Sequence, residues 1–293
     1  MSIVKSLSVG DGDMFYIKHN SDSFTMIDCC MDDSNQEAIV KVLEDESAGK
    51  GIVRFISTHP DDDHIRGLTY LDEQMHLVNF YCVENKATKE DPTDDFEQYC
   101  SLRDDPKKAF FLYRGCKRKW LNEKSEERGG AGIHVLWPDT SHKDYQEALK
   151  TAAQGGTANN ISAIFQYRLE GGASVVWMGD LETGFMEQLE TIPVEQAHVL
   201  FAPHHGRDTG RVPAEWLGKM KPKLIIIGEA PSEHLNYYAG YNTVTQNSAG
   251  DITLNCEGDK VHIYVSDPVY EADFLANEDL SHTHGFYIGT LQL

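Results

Sequence analysis

Short apolar runs alternate along the chain with stretches in which apolar residues recur every three or four positions. The first pattern is typical of buried strands and the second of amphipathic helices. The apolar runs predict strands at residues 3–9, 14–18, 24–30, 52–57, 78–83, 133–137, 161–169, 174–178, 198–202, 223–228, 251–256 and 260–265. Helices are predicted at residues 34–47, 68–75, 143–153, 184–190 and 213–219. This alternation of strands and helices indicates an α/β layer structure.

Residues 84–131 interrupt the alternation. They are charged and irregular, and Pro92, Pro106 and the pair Gly129-Gly130 divide them. Helical pieces are expected around residues 93–103 and 107–121. Because the segment is too short for a core of its own, we interpret it as a charged helical insertion in a single domain that spans residues 1–293.

The composition favours a globular protein that does not cross a membrane. Of the 293 residues 40% are hydrophobic, but no window reaches the roughly 20 apolar residues that span a bilayer. The first residues lack the apolar stretch of a secretory signal, so we expect a cytoplasmic protein. The net charge of −21 disfavours nucleic-acid binding over the whole surface, because cations must neutralise phosphates, but it allows a local basic patch.

Polar clusters directly follow three of the predicted strands. They are His59-x-Asp61-x-Asp63-His64, Gly179-Asp180 and His204-His205. Ligands in α/β proteins gather at the carboxyl ends of strands, and metal sites require side chains that are rigidly held. Imidazole nitrogens and carboxylate oxygens bind zinc and harder divalent ions. The spacing therefore predicts a metal site that suits two neighbouring ions, with Asp180 between them.

A simpler interpretation of the same residues is helix capping. Asp62, Asp63 and His64 could cap the helix that follows them, and Asp180 could cap residues 184–190, since aspartate is a favoured capping residue. Three clusters at three strand ends favour the metal site over three unrelated caps.

Several short motifs occur in the order found in the metallo-β-lactamase superfamily. The chain most resembles the branch related to the extracellular-loop domain of the DNA-uptake channel protein ComEC/Rec2. Residues 9–13 (VGDGD) resemble its VGQGD turn, residues 27–29 its IDxG segment with Cys30 in place of glycine, and residues 58–65 its THxDxDHI loop. Residues 160–162 resemble its NxxS-type strand entry, and residues 178–182 and 202–206 its GDLE and HHG motifs.

This resemblance implies an αββα sandwich with a hydrolytic site at one edge that holds two divalent ions, zinc or manganese. The implied ligands are His59 and Asp61 for one ion, Asp63, His64 and a histidine of the 204–205 pair for the other, and Asp180 between them. His205 is favoured over His204 as that ligand, and His204 would then face a phosphate or donate a proton. The candidates for catalysis are therefore Asp63 and His204.

Two supporting residues are also implied. Asp28 would orient a ligand histidine through the second nitrogen of its ring. Asn159 or Asn160 would line the site, and of the two we favour Asn160.

The chain departs from the wider superfamily in two respects. Asp61 stands where the common HxHxDH loop has its second histidine, and the usual HxxGHT-like segment is absent. Additional carboxylates and fewer imidazoles make a harder site, so manganese becomes a candidate beside zinc. Phosphodiester cleavage is accordingly favoured over hydrolysis of β-lactams or thioesters.

Residues 107–120 (KKAFFLYRGCKRKW) contain six cations and no acid, with aromatic residues between them. Cations that follow a phosphate backbone and aromatics that stack on bases are typical of single-strand binding surfaces. One alternative is an amphipathic helix whose aromatics pack on the core. Another is charge pairing with the acidic run at residues 90–97 (EDPTDDFE). Candidate substrate contacts are Lys117, Arg118 and Lys119, together with Tyr241 in the loop after the strand at 223–228.

Three functions are consistent with these patterns. The first is a phosphodiesterase, most simply a nuclease, that uses a metal-bound hydroxide at a dinuclear site. The second is a small-molecule phosphoester hydrolase of the same fold, favoured by a net charge that repels polynucleotides. The third is a binding or regulatory protein, acting with a partner protein, in which the first ion site has decayed.

Overall fold

Sixteen strands and eight helices make up the computed structural model, which describes residues 1–293. The strands are β1 (Ser2–Ser6), β2 (Phe15–Lys18), β3 (Ser23–Ile27), β4 (Cys29–Cys30), β5 (Ile52–Ile56), β6 (Phe80–Cys82), β7 (Ala109–Phe111), β8 (Ile133–Trp137), β9 (Ile164–Arg168), β10 (Ser174–Trp177), β11 (Val199–Phe201), β12 (Leu224–Ile227), β13 (Thr243–Thr245), β14 (Ile252–Glu257), β15 (Lys260–Val265) and β16 (Phe286–Gln292). The helices are α1 (Gln36–Ser47), α2 (Asp62–Ile65), α3 (Leu68–Met75), α4 (Asp94–Asp104), α5 (Lys143–Ala153), α6 (Thr183–Gln188), α7 (Ala214–Met220) and α8 (Gln246–Ala249). The α/β class predicted from the sequence is confirmed.

The strands form two mixed sheets. The first has nine strands in the order β16-β15-β14-β1-β2-β3-β5-β6-β7, and the second has six in the order β13-β12-β11-β10-β9-β8. In the first sheet β3, β5, β6 and β7 are parallel to one another, and in the second β10 to β13 are parallel. Parallel strands deliver the residues that follow them to one edge of a sheet.

The carboxyl ends of β3, β5, β10 and β11 lie together at one edge, which we call the site end. The strand β2 runs antiparallel to β3, so the residues that precede β2 also lie there. The edge formed by the amino ends of β3 and β5 is called the opposite end. It contains the hairpin between β2 and β3 and the loop that precedes β5.

The main core lies between the two sheets. The ring of Phe15 on β2 lies 4.8 Å from that of Phe201 on β11 and 6.1 Å from that of Trp177 on β10, measured between centroids. Trp177 in turn stacks on Phe165 of β9 at 5.5 Å. These large rings are almost fully buried. Their removal from water, worth about 1.5–3 kcal/mol for a buried side chain, holds the two sheets face to face.

The insertion differs from the sequence-based expectation. A helix at residues 94–104 is confirmed, but the helix expected at residues 107–121 is wrong. Residues 109–111 instead form β7, which pairs with β6 at the edge of the first sheet, and residues 112–132 are irregular. The aromatic run Phe110-Phe111 favours an extended backbone, and its pairing supplies hydrogen bonds that β6 needs on that side.

Two strands near the carboxyl terminus were not predicted. The strand β13 extends the second sheet beside β12, and β16 pairs with β15 at the edge of the first. The longest helix is α1 with 12 residues, and no helix combines the length and apolar character needed to cross a bilayer.

Candidate metal centre

Asp180 lies at the centre of a group of histidines at the site end. The shortest approach is 3.0 Å, between its Oδ1 and Nε2 of His64. Its Oδ2 lies 3.5 Å from Nε2 of His205, 3.6 Å from Nε2 of His204 and 4.0 Å from Nε2 of His59. Four imidazoles from two sheets thus direct the same ring nitrogen toward one carboxylate.

Two further carboxylates each contact the other ring nitrogen, Nδ1, of one of these histidines. Asp28, which follows β3, places Oδ2 2.9 Å from Nδ1 of His64. Asp13, in the turn before β2, places Oδ1 3.0 Å from Nδ1 of His205. Each aspartate can accept the Nδ1 proton, so that Nε2 is the ring nitrogen that faces Asp180.

Threonine hydroxyls hold the other two rings in the same way. Nδ1 of His59 lies 3.0 Å from Oγ1 of Thr58, and Nδ1 of His204 lies 2.8 Å from Oγ1 of Thr209. Thr58 is itself fixed by Asp28, which accepts hydrogen bonds of 2.7 Å from both its backbone N–H and its hydroxyl. All four ring orientations are therefore set by an oxygen partner at Nδ1.

Several polar atoms that face the centre lack a hydrogen-bond partner of suitable geometry. They are Nε2 of His59, Nε2 of His64 and Oδ1 of Asp180, all buried. Buried polar atoms left without a partner are rare in folded proteins, and a bound ion is one group that satisfies them. Asp13, His64, Asp180 and His205 each offer one ligand atom within 4.8 Å of the others, so this group could hold a metal ion.

Carboxylates raise the pKa of two of the histidines. Burial by itself disfavours charge on His64, but Asp180 and Asp28 outweigh it and hold the pKa of His64 well above its usual value. The same balance acts on His205, where Asp13 and Asp180 overcome burial and raise the pKa to about 10. The centre therefore attracts cations, as its excess of carboxylate predicts.

The remaining pKa shifts follow from burial and from these charges. Burial lowers the pKa of His59, and the neighbouring His64 lowers it further. Burial also lowers the pKa of His204. Although burial opposes ionisation of Asp180, His64 and His205 hold its pKa well below the usual value.

The backbone at the centre is held in uncommon conformations. Asp28, His204 and His205 all have positive φ angles, of 53°, 54° and 56°. Such conformations cost a non-glycine residue on the order of 1–3 kcal/mol each and cluster at functional sites. Gly179 shows why glycine precedes Asp180: a Cβ there would lie 2.7 Å from Oγ of Ser162.

Asp61 and Asp63 lie on different sides of the centre. Oδ2 of Asp63 is 3.3 Å from Nε2 of His205. Oδ2 of Asp61 is 3.7 Å from Nε2 of His59, while its Oδ1 is 2.8 Å from the Lys89 ammonium. The structure thus brings the predicted ligands close to one another, but one of them, Asp61, also forms an ion pair with Lys89.

Asn160 contacts the loop that carries Asp180 and not the histidines. Its Nδ2 donates to Oε2 of Glu182 at 2.7 Å, and its Oδ1 accepts from the backbone N–H of Glu182 at 3.1 Å. Ser162 accepts the backbone N–H of Asp180 at 3.1 Å. These contacts fix the loop after β10, so Asn160 acts here through the position of Asp180.

The structure does not bring the predicted basic contacts to the centre. The Lys119 ammonium lies 4.5 Å from the ring centroid of Trp120, and the carbonyl of Trp120 accepts from Arg54 at 2.8 Å. The Arg128 guanidinium lies 5.6 Å from the same ring and binds Asp22, which directly precedes β3, at 2.7 Å. Lys119 therefore extends toward the opposite end.

Arg118 and Tyr241 are also directed elsewhere. Arg118 covers the ring of Phe110 on β7 at 5.0 Å, and Lys117 beside it is exposed. Tyr241 lines a cavity with Pro222 and Lys223, which precede β12, and so lies at the end of that strand remote from His204.

A role for Asp13 was not predicted from the sequence. The VGDGD turn resembled a motif, but its last residue had no assigned function. Asp13 and His205 are 192 positions apart, so no local spacing joins them. The available signal was a carboxylate directly before an apolar strand, the mirror image of the strand-end pattern used for the other residues.

Comparisons with known proteins do not assign a family. No protein-family model matches the chain, and no curated protein matches it. The function is therefore argued from the geometry of the centre.

Proposed function

We propose that the protein is a metal-dependent phosphodiesterase with a metallo-β-lactamase-like sandwich. The observation that carries the proposal is the convergence of four Nε2 atoms on Asp180, at 3.0–4.0 Å, with each Nδ1 held by an oxygen. Rings fixed in this way are typical of metal ligands, whose second nitrogen is almost always bound to a carboxylate, carbonyl or water.

The buried polar atoms also favour a metal over a purely structural cluster. Nε2 of His59 has no partner, and Nε2 of His64 and Oδ1 of Asp180 lie 3.0 Å apart without the geometry of a hydrogen bond. One or more cations bound between them would satisfy all three atoms. A structural network would instead be expected to satisfy its own buried groups, because each one left unpaired costs about 1–3 kcal/mol. The donor set of imidazoles and carboxylates fits zinc or manganese.

The arrangement of layers supports the fold part of the proposal. The two sheets pack face to face through Phe15, Trp177 and Phe201. The helix α3 contacts both α1 and α4, and α4 also packs on β6 of the first sheet. An αββα sandwich with its site at one edge requires such an arrangement, in which loops from both sheets meet over the core.

The chain's own residues would hold the ion, align the substrate and transfer protons. Asp63, His64, Asp180 and His205 would bind the cation, while Asp28 and Asp13 would keep the rings in the correct tautomer. A bound divalent ion supplies Lewis-acid activation of water and of a phosphoryl oxygen.

His204 would face the substrate. It retains 16% side-chain exposure, whereas the side chains of His59, His64 and His205 are fully buried. We assign it to contact with a phosphate oxygen or to proton transfer at the leaving oxygen.

A small phosphoester is the second candidate substrate, beside nucleic acid. The orientation of Lys119 toward the opposite end favours it, because the basic segment then offers no continuous path for a strand that enters the centre. The net charge of −21 acts in the same direction. Both candidates share the chemistry of phosphodiester hydrolysis and differ in the length of the substrate.

The test combines metal analysis with a substrate panel. Metal-stripped protein would be reloaded with Zn²⁺ or Mn²⁺, dialysed, analysed for metal and assayed on bis(p-nitrophenyl) phosphate, single-stranded DNA and RNA. We expect retained metal and hydrolysis in the wild type, and loss of both in Asp180→Asn. The matched control Asp91→Asn changes an exposed carboxylate and should behave as wild type.

The outcomes separate the open functions. Cleavage of the small diester alone would favour the second candidate, and cleavage of DNA or RNA the nuclease. Retained metal without hydrolysis of any phosphodiester would contradict the proposed activity. Absence of retained metal in the wild type would contradict the metal centre itself and favour a binding or regulatory protein.

A further inference from the structure

Lys89 places its ammonium group inside one half of the centre. Its ammonium lies 2.8 Å from Oδ1 of Asp61 and 3.7 Å from Oδ1 of Asp62. The other oxygen of Asp61 faces Nε2 of His59 at 3.7 Å. The protein cation therefore shares a carboxylate with the pair that the sequence predicts as ligands of the first ion.

The position of Lys89 is fixed by its surroundings. The residue before it, Thr88, is attached twice to the end of α5, by its backbone N–H to the carbonyl of Ala152 at 3.0 Å and by its hydroxyl to the carbonyl of Ala153 at 3.1 Å. The Lys89 ammonium lies 5.8 Å from the ring centroid of Phe96, a buried residue of α4. Only about a quarter of the Lys89 side chain is exposed, at 27%.

The two halves of the centre thus differ in charge. Around Asp63 and His205, the carboxylates of Asp13 and Asp180 face the imidazoles, and no lysine or arginine forms an ion pair with them. Around His59, one of the nearby carboxylates is already paired with Lys89. A divalent ion beside His59 would be repelled by the Lys89 ammonium and would share the carboxylate of Asp61 with it.

We propose that Lys89 takes the place of a second metal ion, so that the chain binds one divalent ion tightly, at Asp63, His64, Asp180 and His205. The proposal rests on the proposed function, since it assumes a metal at Asp180. It names the Lys89 ammonium as the second positive charge of the centre, positioned by Asp61 to contact a phosphate oxygen of the substrate. A lysine serves as a point charge for phosphate in this way.

Metal stoichiometry tests the proposal without an activity assay. Wild type, Lys89→Met and the matched control Lys86→Met, which changes an exposed lysine of the same loop, would be loaded with Mn²⁺ or Zn²⁺, dialysed and analysed for bound metal. We expect one equivalent in wild type and control, and two in Lys89→Met. Calorimetric titration should show a second-ion affinity at least about tenfold higher in Lys89→Met, because one like charge is removed.

Further variants guard against an indirect effect. Lys89→Gln gives a second route to the neutral side chain if Lys89→Met does not fold, as judged by circular dichroism. Asp61→Asn added to either variant should return the stoichiometry to one. Two tight equivalents in wild type, or one equivalent in both Lys89 variants, would overturn the role of Lys89 while leaving the metal centre intact. No retained metal in wild type would overturn both proposals.

Discussion

A buried histidine lies at each end of the first sheet, and their surroundings are opposite in charge. At the site end, His64 lies between the carboxylates of Asp28 and Asp180, at 2.9 Å and 3.0 Å from its two ring nitrogens. At the opposite end, His19 binds the hydroxyl of Thr25 at 2.9 Å, and its charged neighbours are Arg54 and Lys50.

This difference decides what each histidine can do. Carboxylates raise the pKa of His64 despite its burial, whereas burial and then Arg54 and Lys50 lower the pKa of His19 well below its usual value. An environment that stabilises an imidazolium also stabilises a metal cation, and one that repels a proton repels a metal. Burial of a histidine therefore does not by itself indicate a ligand; the charge around the ring does.

The largest expected effect separates the two histidines directly. We expect His64→Gln to abolish metal retention and to lower kcat/KM by about 10³-fold or more, because the substitution removes a donor from the charged centre. His19→Gln should leave both properties near wild type. Metal analysis and the diester assay on the two purified variants check this. Equal retention of metal by both would mean that the contrast between the two ends has no functional meaning.

The aspartates that flank β3 offer a second, smaller contrast. Asp28 follows the strand and binds His64, while Asp22 precedes it and binds Arg128 at 2.7 Å. We expect Asp28→Asn to weaken metal affinity by about 10–100-fold through misorientation of the ring, and Asp22→Asn to leave it unchanged. Competition against a chromophoric chelator measures both.

Asp13→Asn extends the same test to the second sheet. Asp13 holds His205 as Asp28 holds His64, so the two substitutions should weaken metal affinity by similar factors. If Asp13→Asn instead removed the metal entirely, Asp13 would be a direct ligand, which its distance to the other ligand atoms also permits.

A third prediction concerns the pH dependence of stability. Because His19 stays neutral when folded, only the unfolded chain takes up its proton as the pH falls through about 6.5. Its contribution to the free energy of unfolding is therefore present above that pH and declines below it, by at most about 1.4 kcal/mol per pH unit. Urea unfolding at pH 7.5 and 5.5 should show a smaller loss of stability in His19→Gln than in wild type. An identical loss would show that His19 is protonated in the folded protein.

Most of the fold was predictable because buried strands leave a clear apolar signature. The runs at 52–57, 198–202 and 223–228 correspond to β5, β11 and β12, with shifts of at most one residue at their ends. The segment at 107–121 was not predictable in the same way. Its aromatic and basic residues are as compatible with an amphipathic helix as with a strand. The strand β7 forms because it pairs with the free side of β6, which the sequence of the segment does not reveal.

The residues of the candidate centre also differ in whether the sequence predicts them. Strand ends identified His59, His64 and Asp180, since each directly follows an apolar run and needs no knowledge of distant contacts. Asp13 and Lys89 carry no such signal. Each reaches the centre through tertiary structure: Asp13 by the antiparallel pairing of β2 with β3, and Lys89 by the attachment of its loop to α5.

The smallest expected effect lies in the basic segment. Lys119 extends to the opposite end and Arg118 covers Phe110, so replacing Lys117, Arg118 and Lys119 together by alanine should change hydrolysis of the small diester by less than about twofold. Because Lys119 and Arg118 pack on aromatic rings outside the centre, we expect cleavage of single-stranded DNA to be equally insensitive. A rise in KM for DNA with an unchanged rate for the small diester would contradict this. It would show that a long substrate extends from the centre toward the opposite end. The two ends would then be two parts of a single binding surface.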